Sequence, residues 1–291
     1  IHINLYIMGK RGRKGNKRVT DKAKTKVDKQ PFVSVCTPTY NRRPFIPYII
    51  RCFEQQDYPR DKMEWIIVDD GTDSIEDLVR HLPYVKYHRV EGDKLNLGAK
   101  RNMMHKFVTG DIVVYMDDDD FYPKDRVSHA VKILTGNKKA LCAGSSEIYI
   151  YFPHLKKTFQ FGPYGPNHAT AGTFAFKKKL LEDSSYDDDA SLAEEKAFLK
   201  NYTVPFVQLD PLKAILVVSH THNTFDKKKL LKQKGNKFVK DTDYTPHDFI
   251  KDKSLFDFYI NGIEDHIKDY EPGRPSMKPD VIEETERRAI E

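Results

Sequence analysis

Cysteine is scarce in this chain of 291 residues: only Cys36, Cys52 and Cys142 occur, with no CxxC and no Cys/His pairing. An odd number without such spacing argues against a disulfide framework and a zinc knuckle, and predicts buried thiols in a reducing compartment. Long apolar runs are absent as well. The longest, such as 112–116 and 214–218, fall far short of the roughly 18 residues that a spanning helix needs. No basic start, apolar middle and small-residue cleavage site marks a signal peptide, and the expected location is the cytoplasm or the cytoplasmic face of a membrane. Both glycine-rich phosphate loops are missing too: no GxGxxG follows the first apolar run, and GxxxxGK[ST] occurs nowhere. That disfavours a dinucleotide oxidoreductase and a P-loop NTPase.

What is present is globular in composition, with 39% apolar and 32% charged residues, enough to bury a sizeable core. The net charge of +6 is unevenly placed. Lys10, Arg11, Arg13, Lys14, Lys17, Arg18, Lys22, Lys24, Lys26 and Lys29 face only Asp21 and Asp28 within residues 1–30, so the remainder is slightly acidic. A basic flexible arm over 1–30 fits nucleic acid or an anionic membrane. It equally fits a solvated linker, since no aromatic is interleaved for base stacking.

From Pro31 onward apolar runs alternate with helical spacing. Strands are predicted at 32–37, 65–68, 85–89 and 112–116, with helices at 44–56, 74–82 and 98–108 between them, as in a mostly parallel sheet with right-handed crossovers. Three of these strands end in polar clusters, Pro38 to Arg43, Asp69 to Asp73 and Asp117 to Asp120, at the edge where such sheets hold ligands. A nucleotide-binding half is predicted over 31–130 and a mixed acceptor-binding half over 131–222. The latter comprises a helix at 126–134, strands at 147–152, 157–161, 173–176 and 214–218, and a helix at 191–200 capped by Ser191 with Glu194 completing a capping box. Residues 223–291 read as a C-terminal extension with a linker, PGRPSMKP, at 272–279 and a short charged helix at the end.

The strongest chemical signal is Asp117, Asp118, Asp119 and Asp120 directly after an apolar strand. Four adjacent carboxylates repel one another unless a cation neutralises them, and oxygen ligands favour Mg²⁺ or Mn²⁺. An EF-hand fails, because its required glycine would fall on Tyr122; an acidic surface turn is the plainer alternative. Asn96 to Asn102 (NLGAKRN) opens a helix with two cations, suited to a diphosphate or simply to a surface helix start. Glu194-Glu195 offers a carboxylate base or a solvated helix face, and Asp187, Asp188 and Asp189 a competing base or an exposed turn. His220 and His222 in SHTHNT would point the same way if the segment is extended, as metal or diphosphate contacts or as structural hydrogen-bonding groups. His168 and Tyr164, in a Gly/Pro loop, are candidate acceptor contacts.

Taken in order, VSVCTPTYNRR, WIIVDDGTDS, NLGAKRN and GDIVVYMDDDDFYPKDRV resemble the GT-A glycosyltransferases of family 2, over about residues 31–222. The resemblance implies an α/β fold in which Pro38, Thr39 and Tyr40 hold base and ribose, Asp70 contacts the base, and Lys100 and Arg101 lie near the diphosphate. The family's DxD motif maps onto Asp117-Asp118-Asp119. Asp119 becomes the expected metal ligand and Asp117 faces ribose or metal, although Asp at the middle position and at Asp120 departs from the usual pattern. An inverting reaction with Mn²⁺ or Mg²⁺ is implied, with Glu195 as the base, Glu194 second, and His220 as a further metal ligand. The expected donor is a nucleotide-sugar, by default a UDP-sugar; the acceptor is a glycan, lipid or protein; no nucleic acid is expected. The rivals are a sugar-phosphate nucleotidyltransferase, a protein binding nucleic acid or an anionic surface through the arm, and an inactive lectin-like relative.

Overall fold

The structure is a computed structural model that describes residues 30–191, 194–232 and 236–290; the expected basic arm lies outside the described residues but for Gln30. The chain divides into units 1–30 and 31–291. Within the second, β1 (Val33–Thr39), α1 (Ile46–Glu54), β2 (Met63–Asp69), α2 (Glu76–Val79), β3 (Val85–Arg89), α3 (Leu97–His105) and β4 (Ile112–Tyr115) alternate as predicted. Then follow α4 (Arg126–Gly136), β5 (Cys142–Gly144), β6 (Ile148–Phe152), β7 (Lys157–Phe161), β8 (Ala175–Lys177), α5 (Glu195–Phe198), β9 (Phe206–Gln208) and β10 (Leu216–Val218). The last stretch carries α6 (Lys228–Leu231), β11 (Val239–Asp241), α7 (Pro246–Phe249), α8 (Lys253–Phe256), α9 (Ile263–Ile267) and α10 (Pro279–Ile290).

A seven-stranded sheet has the order β3-β2-β1-β4-β8-β5-β9, and a four-stranded sheet the order β10-β6-β7-β11. β3, β2, β1 and β4 run parallel, whereas β8 is antiparallel to both β4 and β5. The boundary expected at 130 therefore does not divide the main sheet, because strands from beyond it complete that sheet. All seven residues of β1 are buried, which is why it reads as a continuous apolar run: helices cover both faces of a parallel sheet. Alternate residues feed two cores. Val35, Trp65, Ile67 and Val114 pack on one face, where Phe53 stacks on Trp65 with centroids 4.9 Å apart, while Cys36, Ile66, Val68 and Val113 pack on the other. All three cysteines are buried free thiols.

Two local expectations are corrected. Among the described residues of the helix expected over 191–200 only α5 is helical, and it cannot run on because Lys200, Asn201 and Tyr202 all take positive φ, a left-handed run that no helix continues through. The expected linker at 272–279 is a strap of 3-10 turns bonded to the loop after β1: Asn41 Nδ2 donates to Pro272 O at 3.0 Å and Tyr40 Oη to Met277 O at 3.2 Å. Among the described residues no helix is long and apolar enough to cross a membrane.

Candidate active site

Parallel strands all end on the same edge, so the loops after β1 and β4 and the start of α3 meet there. They wall a cavity of about 600 Å³, lined among others by Pro38, Tyr40, Arg42, Lys100, Arg101, Asp117 to Asp120, Glu194 and Glu195. Ile148, Ile150, Ile215 and Val217, contributed by β6, β10 and the residue before β10, give the opposite wall an aliphatic surface.

The acidic run is not a surface turn. Asp118 and Asp120 are buried. Arg42 reaches both central carboxylates, Nε lying 3.4 Å from Asp118 Oδ1 and Nη2 3.2 Å from Asp119 Oδ2. Burial pushes the Asp118 carboxyl up to about 7 against the pull of Arg42. For Asp119 burial acts in the same direction, yet Arg42 and His220 hold it well below the usual carboxylate range. Asp120, buried beside Asp119, is raised well above that range and its Oδ1 has no partner among the described residues. Such a set carries more negative charge than burial tolerates.

On the α3 side each cation has its own acid. Lys100 Nζ pairs with Asp70 and donates to Thr39 O at 3.0 Å. Asp70 Oδ2 accepts the Leu95 amide at 2.7 Å, so Asp70 and Thr39 stand behind the wall and position Lys100, which itself lines the cavity. Arg101 lies over the Tyr115 ring at 4.6 Å and donates from Nε to Glu194 Oε1 at 2.9 Å; its Nη2 is 3.4 Å from Asp117 Oδ1. Its buried Nη1 has no partner among the described residues. The expected Ser191 and Glu194 capping box does not form: buried Arg101 takes Glu194 as its counterion, and Ser191 Oγ bonds to Asn96 Oδ1 at 3.0 Å. Glu195 opens α5, half-buried on the cavity wall, and α5 is anchored by Phe198 stacked on Tyr186 at 4.4 Å.

A backbone seam joins the two sides. Gly98 N donates to Ala190 O at 3.0 Å, and a Cβ on Gly98 would overlap the Asp187 carbonyl oxygen. Asp187, Asp188 and Asp189 form an exposed turn off the cavity, with Asp188 Oδ1 accepting from Asn102 at 2.7 Å.

His220 and His222 do not face one site, because β10 ends at Val218 and residues 220–223 turn, with Asn223 N bonded to His220 O at 3.1 Å. His220 Nε2 lies 3.5 Å from Asp119 Oδ2, and burial pushes its pKa down to about 4, leaving a neutral imidazole. His222 packs instead against Gly273, where a Cβ would lie 2.7 Å from Nδ1. Tyr164 and His168 pack on each other at 5.1 Å on a loop outside the cavity lining. Sequence reasoning missed Arg42, Lys94, Lys278 and Asp280, all lining the cavity. Arg42 sat inside the first strand-end cluster and was legible there; the strap residues had no local signal.

Among the described residues no three His, Cys, Asp or Glu side chains stand as a formed metal cluster, since Asp119 is paired with Arg42 and Asp117 with Arg101. By donor chemistry the residues nevertheless fit a hard divalent cation, with under-neutralised carboxylates and a neutral imidazole at one place.

The sequence profile of glycosyl transferase family 2 matches residues 34–194. The chain belongs to this family, and its class is that of the glycosyltransferase enzymes. Poly(ribitol-phosphate) beta-N-acetylglucosaminyltransferase TarS of Staphylococcus aureus is 30% identical over 105 residues, covering 35% of this chain and 18% of TarS. Glycosyltransferase AglE of Haloferax volcanii is 26% identical over 121 residues, 40% of each chain. The matches thus span well under half the length of these curated relatives. Mannosyltransferase PcManGT from Pyrobaculum calidifontis, solved in complex with GDP-Man and Mn²⁺, shares the fold with a TM-score of 0.54 at 18% identity over 90% of this chain and 76% of that one. Its strand and helix arrangement agrees with the expected GT-A architecture.

Proposed function

We propose that the protein is a metal-dependent, inverting glycosyltransferase that moves a sugar from a nucleotide-sugar, by default a UDP-sugar, to a hydroxyl of a glycan, lipid or protein acceptor. The observation that carries this reading is the convergence on one cavity of the loop after β1, the cations of α3, the acidic run after β4 and the Glu194-Glu195 pair. Pro38 and Tyr40 bound the base and ribose, with Asp70 acting through Lys100. Lys100 and Arg101, both on the cavity wall, face the diphosphate. Asp119 and Asp117, with neutral His220, would hold Mn²⁺ or Mg²⁺. Such an ion neutralises charge on a departing diphosphate.

Glu195 takes the proton of the acceptor hydroxyl. Glu194 shares the cavity and is held by Arg101 at 2.9 Å, so it orients that cation. The aliphatic wall opposite excludes water from the reacting hydroxyl. A thermal-shift panel of UDP, GDP, dTDP and CMP, each with and without Mn²⁺, tests the reading through mass action. Stabilisation by one nucleotide only with Mn²⁺ is the expected result; no shift with any of them overturns it.

A further inference from the structure

We propose that the strap over residues 270–282 is a working part of the donor site, and that Lys278 on it is a diphosphate-binding cation. The inference rests on the donor reading above and adds a residue far beyond the matched 34–194 segment.

Lys278 lines the same cavity as Asp118, Asp119, Lys100 and Arg101. It is only 5% exposed, and among the described residues its ammonium donates one hydrogen bond, to Thr224 Oγ1 at 2.8 Å. An ammonium has three donors, and burying one with so few acceptors is costly, a cost that the nearby Asp118 and Asp119 offset only in part. Lys100 and Arg101, the two cations of α3, line the same cavity. A diphosphate supplies both the charge and the acceptor oxygens.

The strap is held where this requires. Arg42 Nη1 donates to Gly273 O at 3.3 Å, Tyr40 Oη to Met277 O at 3.2 Å, and Lys94 pairs with Asp280 at 2.6 Å. Gly273 fits because a Cβ there would meet His222 Nδ1 at 2.7 Å and Asn41 O at 3.0 Å. Tyr40, expected to bound base and ribose, thus also grips the strap, together with its neighbours Asn41 and Arg42, so Lys278 is registered to the donor cavity and not to the outer surface.

Calorimetry on the full chain with Mn²⁺ tests this, using the nucleoside diphosphate that the wild type binds and the monophosphate of the same base. Lys278→Met should weaken the diphosphate roughly tenfold or more, as loss of a charge-assisted hydrogen bond predicts, while the monophosphate changes far less; Lys278→Arg should recover most of the loss. Equal loss for both ligands would make Lys278 merely structural and overturn the proposal, as would no loss for either. If Lys278→Met does not fold, the lysine Nζ resonance missing from Lys278→Arg identifies Lys278 by NMR in the wild type. That signal should move with diphosphate and not with monophosphate, and a signal indifferent to diphosphate overturns the proposal. A wild type that binds no nucleoside diphosphate at all brings down the donor reading, and this inference with it.

Discussion

The two walls of the cavity are built on opposite principles. The wall from β1, α3 and β4 is a lattice of charges, with Arg42, Lys100 and Arg101 each bonded to a carboxylate and most of these groups buried. The facing wall from the four-stranded sheet is aliphatic and rests on strands as short as the three residues of β10. The first recognises a ligand whose charge is fixed by chemistry, and its cost is paid in buried ion pairs that are strongly destabilising to break singly. The second shapes and dries a space, which many aliphatic side chains do equally well.

That contrast breaks first at Glu195, the proposed base. Glu195→Gln should lower kcat about 10²- to 10⁴-fold, the range for losing a general base, with nucleotide affinity by calorimetry unchanged; retained turnover would move the base elsewhere. Asp119→Ala should abolish Mn²⁺-dependent nucleotide stabilisation in a thermal shift, whereas an unchanged shift would remove Asp119 from the donor site. Substitution in the cores sharpens the comparison. Trp65→Ala, beneath the charged wall, should cost about 3–5 kcal/mol, and Val217→Ala, on the aliphatic wall, about 1 kcal/mol, both read by denaturant unfolding.

A pH experiment separates the charged wall further. The Asp118 carboxyl, pushed up to about 7 in the fold, binds its proton more tightly there than in the unfolded chain. Its favourable contribution is therefore present below the unfolded value of about 3.9 and lost as pH rises through about 7. Asp118→Asn should be more favourable to the melting temperature at pH 8 than at pH 3.5; equal effects at both would refute the linkage. The smallest effect belongs to Tyr164→Ala, outside the cavity lining, which should change kcat/KM by less than about twofold.

The charged wall was the more legible of the two in the sequence. β3 and β7 occupy 85–89 and 157–161 as the apolar pattern predicts, and the strand-end clusters meet because parallel strands must end together. β5, β9 and β11, each three residues long, escaped notice, since their pairing depends on partners remote in sequence, not on local periodicity. The same holds for Lys278 and Asp280: nothing near them in the chain signals a pocket, and bonds from residues remote in sequence, such as those of Tyr40, Asn41, Arg42 and Lys94 to the strap, bring them in. His220 and His222 misled for the opposite reason, because alternation was assumed in a segment that turns after Val218.

The seam at Gly98 sets a mechanical stop between α3 and the turn at 187–190. Most spacings in the site are held by side chains, whose rotamers can yield when a neighbour changes size. Here backbone meets backbone, through Gly98 N and Ala190 O, and there is no rotamer to give. One methyl group on Gly98 must displace either α3, with Lys100 and Arg101, or the turn at 187–190, and so act as a wedge between them. Gly98 is thus a gauge block, fixing by the absence of a side chain how closely that turn approaches α3.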